Sequence, residues 1–320
     1  MRRIRLGRTG EEVSAIACGT WAHGGPKKVG RMEVGWSGHD DQRAIDALVA
    51  AYEAGITHWD TADAYGDGHS EQLIGRLWDR VPRDEIFLAS KVGWDPGAYE
   101  HFYHPQLIDE HIERSLRYLE TDRIDLFYLH HCDFGPQDRF LDGAVEALRR
   151  ARDAGKIRFL GLSDWSSEKV VRYAPRVEPE VVQPYRNVVD DKYVSSGLKA
   201  WVDDNDAGVA FFSPLRHGLL LGKYEEPTSF PAGDHRNRIA EFGDAAALAR
   251  LRDCRAAVEQ RFPQRRDAVL HALTGALLSE TPTGCVLLGM RRRRHAVAAA
   301  GLGEPLSAAE AAWVRQLYNG

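Results

Sequence analysis

The sequence contains few cysteines and no long apolar run. Its four cysteines are far apart in the chain, so the closely spaced pairs typical of zinc and redox motifs are missing. A chain of this size does not depend on disulfides, and we expect reduced thiols. No stretch approaches the roughly 18 apolar residues that a membrane helix needs, and no apolar signal core follows the basic start of the chain. We therefore expect a cytoplasmic protein with no membrane partner.

A broad excess of positive charge is also missing. The 42 Lys and Arg residues are outnumbered by 47 Asp and Glu residues, which gives a formal net charge of -5. Because binding to phosphates requires a broad basic surface, this balance argues against a nucleic-acid partner. The 320 residues are 43% hydrophobic and 28% charged, as is typical of a globular protein. With no internal repeat, linker or low-complexity tract, we predict one domain over residues 1–320.

Short apolar runs alternate with longer amphipathic segments, a pattern typical of βαβ units and a parallel sheet. The predicted strands lie at residues 16–20, 57–60, 86–91, 125–130, 159–163, 181–183, 209–212 and 285–288. Apolar residues recur at helical spacing between them, for example over residues 41–54, 105–119 and 143–154. Gly55 and Gly155 follow two of these helical segments, where a left-handed cap is expected.

Three stretches interrupt this alternation: residues 22–40, 94–104 and 222–243. Each follows a predicted strand or its rim, is long for a connection, and is rich in Gly, Pro, His or aromatic residues. Long loops in compact domains are usually functional or disordered, and we expect these to face the substrate. The Ala-rich residues 296–320 are predicted to form terminal helices.

Four polar residues stand where predicted strands end: Asp60, Tyr65, Lys91 and His130. In a parallel barrel all strands end at one rim, so these side chains would meet in one site. A phenol has a pKa near 10, and an ammonium at about 4 Å would favour its ionisation by about 4 kcal/mol. Lys91 suits that task, Asp60 could hold the ammonium, and His130 could bond a substrate oxygen. Singly, such residues are usually caps or surface ion pairs, but together they predict protonation of a carbonyl oxygen.

Ordered motifs surround these four residues. They are Asp60-Thr61-Ala62-Asp63-Ala64-Tyr65-Gly66 with Gly68-His69-Ser70-Glu71, Ser90-Lys91-Val92-Gly93, Asp125-Leu126-Phe127-Tyr128-Leu129-His130, Gly161-Leu162-Ser163-Asp164-Trp165, Gln183, and Phe212-Ser213-Pro214-Leu215. The set resembles that of the aldo-keto reductase superfamily and covers nearly the whole chain.

The resemblance implies a (β/α)8 TIM barrel with long rim loops and C-terminal helices, which binds extended NADPH without a Rossmann domain. The missing Gly-x-Gly-x-x-Gly turn agrees with this. Hydride would pass from the nicotinamide to a carbonyl carbon, with Tyr65 protonating the oxygen, Lys91 and Asp60 tuning Tyr65, and His130 orienting the substrate. The implied cofactor-binding residues are Gly19, Thr20, Trp21, Asp60, Ser163, Asp164, Gln183, Phe212, Ser213, Pro214, Leu215, Gly289, Met290, Arg291 and His295. Trp21 would also line the substrate pocket, and Trp94 and His131 are further candidates for it.

The chain departs from the family pattern near the nicotinamide and the adenosine. Asp164 replaces the usual asparagine, so an acceptor-only carboxylate stands near the carboxamide. Leu288 replaces the usual proline of the last strand, and Ala298-Ala299 replaces a Glu-Asn pair that contacts adenine. The arginines of residues 291–294 offer guanidinium groups that match a 2′-phosphate, and for this reason we expect NADP rather than NAD.

Two alternatives concern individual residues. The run His130-His131-Cys132-Asp133 has ligand chemistry, but adjacent strand residues point to opposite faces, and we predict no metal ion. Trp165 fits packing as well as a site wall. Trp94 follows Lys91 by three residues in a rim loop, a position typical of a pocket wall.

Two functions remain open. The first is an NADPH-dependent reductase of an aldehyde or ketone, including sugar or natural-product carbonyls. The second is a regulatory subunit that binds NADP(H), senses redox state and turns over little. The four polar residues favour the reductase. Substrate, physiological direction, and the choice between a monomer and a homo-oligomer stay open.

Overall fold

The architecture is a closed barrel of eight parallel strands. The structure is a computed structural model that describes residues 1–29 and 32–320. Its strands are β1 (Arg3–Arg5), β2 (Glu12–Ser14), β3 (Ile16–Gly19), β4 (Lys28–Val29), β5 (Met32–Glu33), β6 (His58–Asp60), β7 (Phe87–Val92), β8 (Ile124–Leu129), β9 (Ile157–Asp164), β10 (Val181–Pro184), β11 (Gly208–Phe211) and β12 (Gly284–Gly289). The barrel runs in chain order from β3 through β6 to β12, and β12 closes on β3. The predicted fold and all eight predicted strands are confirmed.

Helices follow most of the barrel strands and cover their outer face. They are α1 (Asp41–Glu53), α2 (His69–Gly75), α3 (Pro105–Tyr118), α4 (Leu141–Asp153), α5 (Ser167–Val177), α6 (Lys192–Ser195), α7 (Leu198–Asp204), α8 (Ala245–Arg261), α9 (Ala268–Leu278), α10 (Arg293–Ala299) and α11 (Ala308–Asn319). The predicted terminal helices correspond to α10 and α11. A second apolar cluster, formed largely by α8, α9 and α11, lies beside the main barrel core.

The apolar runs of the sequence form strands because both of their faces are covered. Every residue of β7 and of β8 is buried, as is typical of parallel strands between a barrel interior and outer helices. The register pairs Gly19 with Asp60 and Asp60 with Ala89, so the carboxyl ends of neighbouring strands lie at the same rim of the barrel. At the opposite end, buried Leu6 packs on Gly208 at the start of β11.

Local sequence signals mark the beginnings and the ends of several helices. Asp40 caps α1 by accepting a hydrogen bond from Arg43 N, and Ser166 caps α5 in the same way. Gly55 and Gly155, which follow α1 and α4, have φ of 76° and 75°, as the predicted left-handed caps require.

The first and last long loops are joined to each other above the rim. Of the first, residues 22–40, residues 30 and 31 lie outside the described part. Gly35 forms a parallel bridge with Asp234, whose carboxylate accepts hydrogen bonds from Ser37 and Arg236. Burial raises the pKa of Asp234, but these bonds outweigh it and lower the pKa overall. The two loops therefore form one connected cover over the rim.

Candidate active site

The four polar residues predicted from strand ends meet at the carboxyl rim of the barrel. Lys91 Nζ lies 2.5 Å from Asp60 Oδ1, 2.6 Å from the Thr61 carbonyl oxygen and 3.4 Å from the Tyr65 hydroxyl oxygen. The ring of His130 lies edge-on to the ring of Tyr65, with 5.8 Å between centroids. One ammonium therefore links a carboxylate to a phenol, with an imidazole beside the phenol.

Close backbone packing holds the turn that carries Tyr65. A Cβ added at Gly24 would lie 2.6 Å from the backbone of Tyr65 and Gly66, closer than any side chain tolerates. Gly66 itself has φ of 64°, where glycine is favoured. Lys27 Nζ also reaches this turn through Asp67 at 2.5 Å. These contacts fix the phenol relative to Lys91.

Burial dominates the proton affinities in this group. It raises the pKa of Tyr65 well above its usual value, and Asp60 and Asp63 raise it further. We expected Lys91 to lower the phenol pKa, but in this structure burial and the carboxylates outweigh the ammonium. Burial also lowers the pKa of Lys91, against the opposing effect of Asp60. Tyr65 is consequently protonated at neutral pH, the form that a proton donor requires.

His130 is neutral in this environment. Burial lowers the pKa of its imidazole well below the usual value, and the positive charge of Lys91 lowers it further. Its Nδ1 atom is buried and has no hydrogen-bond partner among the described residues. A neutral imidazole beside Tyr65 can donate one hydrogen bond to a substrate oxygen without adding a charge.

A buried polar network that sequence reasoning did not single out lies behind Tyr65 and Lys91. Asp63 Oδ2 lies 2.7 Å from His111 Nδ1, and Ser90 Oγ donates a 2.6 Å hydrogen bond to Glu71 Oε1. Asp63 and Glu71 flank Tyr65 in the motif, but their partners on α3 and β7 are visible only in the folded chain. Burial raises the pKa of Glu71 to about 7.

Glu71→Gln should therefore remove a pH dependence of stability. The folded-state pKa lies above the usual value of 4.5. Glu71 therefore contributes folding stability that is fully present below pH 4.5 and is lost as pH rises through about 7. Between pH 5 and pH 8 the wild type should lose on the order of 3 kcal/mol of unfolding free energy through this group. The variant should not show this loss. Urea unfolding at both pH values measures this, with exposed Glu12→Gln as the control. Equal pH profiles for Glu71→Gln and wild type would contradict the prediction.

The predicted nicotinamide segments contribute side chains that bond to Asp60 and to each other. Gln183 Nε2 donates to Asp60 Oδ2 at 2.8 Å, and Ser163 Oγ donates to the Gln183 carbonyl at 2.9 Å. Asp164 accepts hydrogen bonds from the backbone N–H groups of Cys132 at 2.7 Å and Ser166 at 2.8 Å. The carboxylate that departs from the family pattern thus orders two rim loops.

The segment of residues 212–215 follows β11 at the same rim. Phe212 lies edge-on to Trp165 with 4.9 Å between ring centroids, and Ser213 has a positive φ of 56°. Trp165 is 45% exposed, so its ring faces the rim rather than the core. Pro214 and Leu215 continue this segment, and Leu215 packs against both apolar clusters.

The first rim segment places Trp21 over the phenol. The two rings stack with 6.2 Å between centroids, and Trp21 Nε1 donates to the Val34 carbonyl at 3.0 Å. Gly19 pairs with both Asp60 and Gly289, and the hydroxyl of buried Thr20 donates to the Asp60 carbonyl at 3.0 Å.

Two histidines that sequence reasoning did not single out join this group, His217 just after residues 212–215 and His235 in the last long loop. His217 and His235 lie 5.8 Å and 5.0 Å from Trp21 between ring centroids. Burial lowers their pKa to about 3 and about 4, helped by His235 and neighbouring arginines at His217 and by Arg238 at His235. Both are neutral and aromatic in character, which makes the rim above Tyr65 largely aromatic.

The two other predicted pocket residues differ in exposure. Trp94 is 51% exposed, and its ring lies 5.9 Å from that of His130. His131 is buried, with Nε2 against the Gly93 carbonyl and Nδ1 accepting from Asp133 N at 3.2 Å. The structure thus brings Trp94 to the rim and directs both ring nitrogens of His131 to backbone groups.

The end of the last strand lies beside a group of cations. Arg291 donates to the carbonyls of Ser37 and Gly38, and its backbone N–H donates to His295 Nδ1 at 3.2 Å. The Met290 carbonyl lies 2.9 Å from His23 Nε2, and Met290 is buried. Part of the Arg291 guanidinium is thereby committed to holding the first long loop.

Lys223 and Arg294 complete this cationic group. The pKa of His295 is lowered to about 4 by burial and by Arg294, Lys223 and Arg291. Burial and the charges of Arg236 and Arg294 lower the pKa of Lys223. In the described ranges, Arg293 is the one member of residues 291–294 with a carboxylate within 4 Å, Glu53 at 3.0 Å. The crowding of like charges favours a bound anion at this position.

Comparisons with known proteins identify the family of this chain. The model of the Aldo/keto reductase family matches residues 15–319. The chain belongs to this family. "Aldo-keto reductase YhdN" of Bacillus subtilis is 31% identical over 300 residues, which cover 91% of this chain and 86% of the relative. The "NADH-specific methylglyoxal reductase" of Escherichia coli is 28% identical over 253 residues, 75% of this chain and 74% of the relative.

A solved structure of the glycerol dehydrogenase AKR11B4 from Gluconobacter oxydans is similar over 98% of this chain and 94% of its own. Its TM-score is 0.79 at 27% sequence identity. This aldo-keto reductase is accordingly an oxidoreductase by family, and members of the family use nicotinamide cofactors. Among the residues that the structure describes, no helix is long and apolar enough to cross a membrane.

Proposed function

We propose that this aldo-keto reductase reduces an aldehyde or ketone to an alcohol with NADPH, and that Tyr65 is the general acid. The observation that carries the proposal is the chain of contacts from Asp60 through Lys91 to the Tyr65 hydroxyl, with Lys91 Nζ 3.4 Å from the phenol oxygen. The nicotinamide cofactor, when bound, supplies the hydride that adds to the carbonyl carbon.

The chain's own residues handle the proton. As the carbonyl oxygen gains negative charge, the Tyr65 hydroxyl donates its proton to that oxygen and becomes a phenolate. The ammonium of Lys91 stabilises this phenolate, because the two oppositely charged groups form a direct contact in a dry site. His130 donates a hydrogen bond to the same substrate oxygen and so orients it. Asp60, held by Gln183, keeps Lys91 in place.

The preference for NADPH rests on the cationic group at the end of the last strand. In addition to burial, the charges of Arg291 and Arg294 lower the pKa of both Lys223 and His295, and a 2′-phosphate would offset that repulsion. Arg292 and Arg43 line an adjoining cleft with His23. The Escherichia coli relative is named NADH-specific. The preference of this chain for NADPH over NADH therefore requires a direct test.

Lys223→Met should weaken NADPH binding far more than NADH binding. Loss of one charge-assisted contact to the 2′-phosphate costs about 1.5–3 kcal/mol, which is about 10- to 100-fold in Kd. Calorimetric titration with NADPH and with NADH measures the loss of affinity for each cofactor. Arg293→Met is the matched control, because its guanidinium pairs with Glu53 and should leave both affinities unchanged. Equal losses for NADPH and NADH would remove the 2′-phosphate argument.

The substrate class is tested by carbonyl-dependent oxidation of NADPH. Sugars, aromatic aldehydes and keto acids form the panel, because the rim combines the polar residues with Trp21, Trp94 and Trp165. We expect turnover with at least one of these classes. Tight NADPH binding with no turnover on any of them would favour a redox-sensing subunit instead.

A further inference from the structure

A second cluster of ligand-type side chains lies outside the Tyr65 site. It comprises His39 in the first long loop, Asp41 at the start of α1 and His69 at the start of α2. Asp41 Oδ1 lies 3.3 Å from His39 Nε2 and 2.8 Å from His69 Nε2. The three atoms all lie within 4.8 Å of one another. Among the described residues this is the one group of three or more His, Cys, Asp or Glu side chains that converges in this way.

We propose that His39, Asp41 and His69 bind one divalent transition-metal ion, with Zn²⁺ as the preferred ion. Zinc takes imidazole nitrogen at about 2.0–2.1 Å and carboxylate oxygen at about 2.0–2.2 Å in tetrahedral geometry. Such bonds place neighbouring ligand atoms about 3.4 Å apart, close to the spacing of Asp41 from the two histidines. Two imidazoles and one carboxylate suit zinc better than calcium or magnesium, which require oxygen ligands.

The three side chains are partly exposed to solvent, which leaves a fourth coordination position open to water. All three side chains reach solvent, with the carboxylate of Asp41 the most open of them. A water molecule can therefore complete the coordination, as in zinc sites with three protein ligands. In the metal-free state the two Nε2–H groups would instead donate to Asp41 Oδ1, so binding replaces these hydrogen bonds and releases protons.

The ion would connect two parts of the rim that are distant in sequence. His39 packs on Gly25 of the first long loop, with its Nδ1 3.0 Å from where a Gly25 Cβ would lie. His69 follows Tyr65 by four residues. A bound ion would therefore tie the cover of the rim to the segment that carries the phenol. This site was not expected from the sequence, which led us to predict no metal ion.

Titration of Zn²⁺ into tag-free, chelator-treated full-length protein tests the proposal. Calorimetry should show one saturable site, and Co²⁺ as a probe should give the visible absorption of a low-coordinate nitrogen–oxygen site. His39→Ala, Asp41→Asn and His69→Ala should each weaken Zn²⁺ binding at least about tenfold. Zn²⁺ should raise the midpoint of thermal unfolding of wild type but not of these variants, because it binds only the folded arrangement.

Two controls keep the test specific. Asp46→Asn removes a carboxylate from the same helix, and His104→Ala removes a histidine from another loop, so both should bind Zn²⁺ like wild type. Failure to saturate at millimolar Zn²⁺ would overturn the proposal. Wild-type affinity in the three cluster variants would overturn it as well, because the ion would then lie elsewhere.

Discussion

Tyr65→Phe is expected to lower kcat for carbonyl reduction by about 10²- to 10⁴-fold, the usual contribution of a general acid. The Kd of NADPH should stay within a factor of about two, because the hydroxyl acts on the substrate oxygen in the chemical step. The ring itself is retained, so its stacking on Trp21 and its contact with His130 persist. Steady-state kinetics on the best substrate of the panel, together with NADPH titration, measure both quantities.

A conservative control separates this effect from general damage. The hydroxyl of Tyr52 donates to Glu85 on an exposed part of the surface, and Tyr52→Phe should leave kcat and the Kd of NADPH unchanged. If Tyr65→Phe reduced every carbonyl as fast as wild type, the assignment of Tyr65 as the acid would be wrong. A loss of NADPH affinity that accounts for the whole decrease in kcat/KM would place Tyr65 in binding instead.

Lys91→Met is expected to cost about 3–5 kcal/mol of unfolding free energy and to abolish reduction. The Lys91 side chain is 0% exposed, and its removal leaves the Asp60 carboxylate buried with the amide of Gln183 as its remaining side-chain donor. The phenolate formed from Tyr65 would also lose its cation. Urea unfolding and single-turnover kinetics measure the two losses independently.

The double variant Asp60→Asn/Lys91→Met distinguishes the structural role of Lys91 from its chemical role. With the carboxylate neutralised, much of the lost stability should return, because no uncompensated charge stays buried. Reduction should not return, because the cation is still missing. Lys199→Met, which breaks an exposed pair with Asp203, should cost about 0.5 kcal/mol or less. Recovery of both stability and kcat in the double variant would show that Lys91 serves folding alone.

The strands and the positions of the strand-end residues were predictable from the chain. Parallel strands are buried on both faces, so each appears as a short apolar run, and a polar residue that ends the run lies at the rim. Asp60, Lys91 and His130 were located in this way, and Tyr65 by its motif. Gly55 and Gly155 were also predictable, because a left-handed cap strongly favours glycine.

The electrostatics of the site were not predictable to the same depth. From the sequence we assigned Lys91 the task of lowering the Tyr65 pKa, but the direction depends on how completely the phenol is buried and on two nearby carboxylates. Asp63 precedes Tyr65 by two residues in the motif, but its hydrogen-bond partner His111 lies on α3, 48 residues later. Which arginine of residues 291–294 pairs with a carboxylate likewise depended on where Glu53 lies.

The amino-acid sequence by itself therefore determined the family, the strand ends and the identity of four residues at one rim, because these follow from local apolar patterns and contiguous motifs. The tertiary structure alone decided which distant groups share a small volume: Lys223 with His295, His217 with Trp21, and His39 with His69. Such contacts depend on loop paths and packing over long chain separations, and pKa values depend on the burial that results. Local sequence patterns predict neither these long-range contacts nor the pKa values.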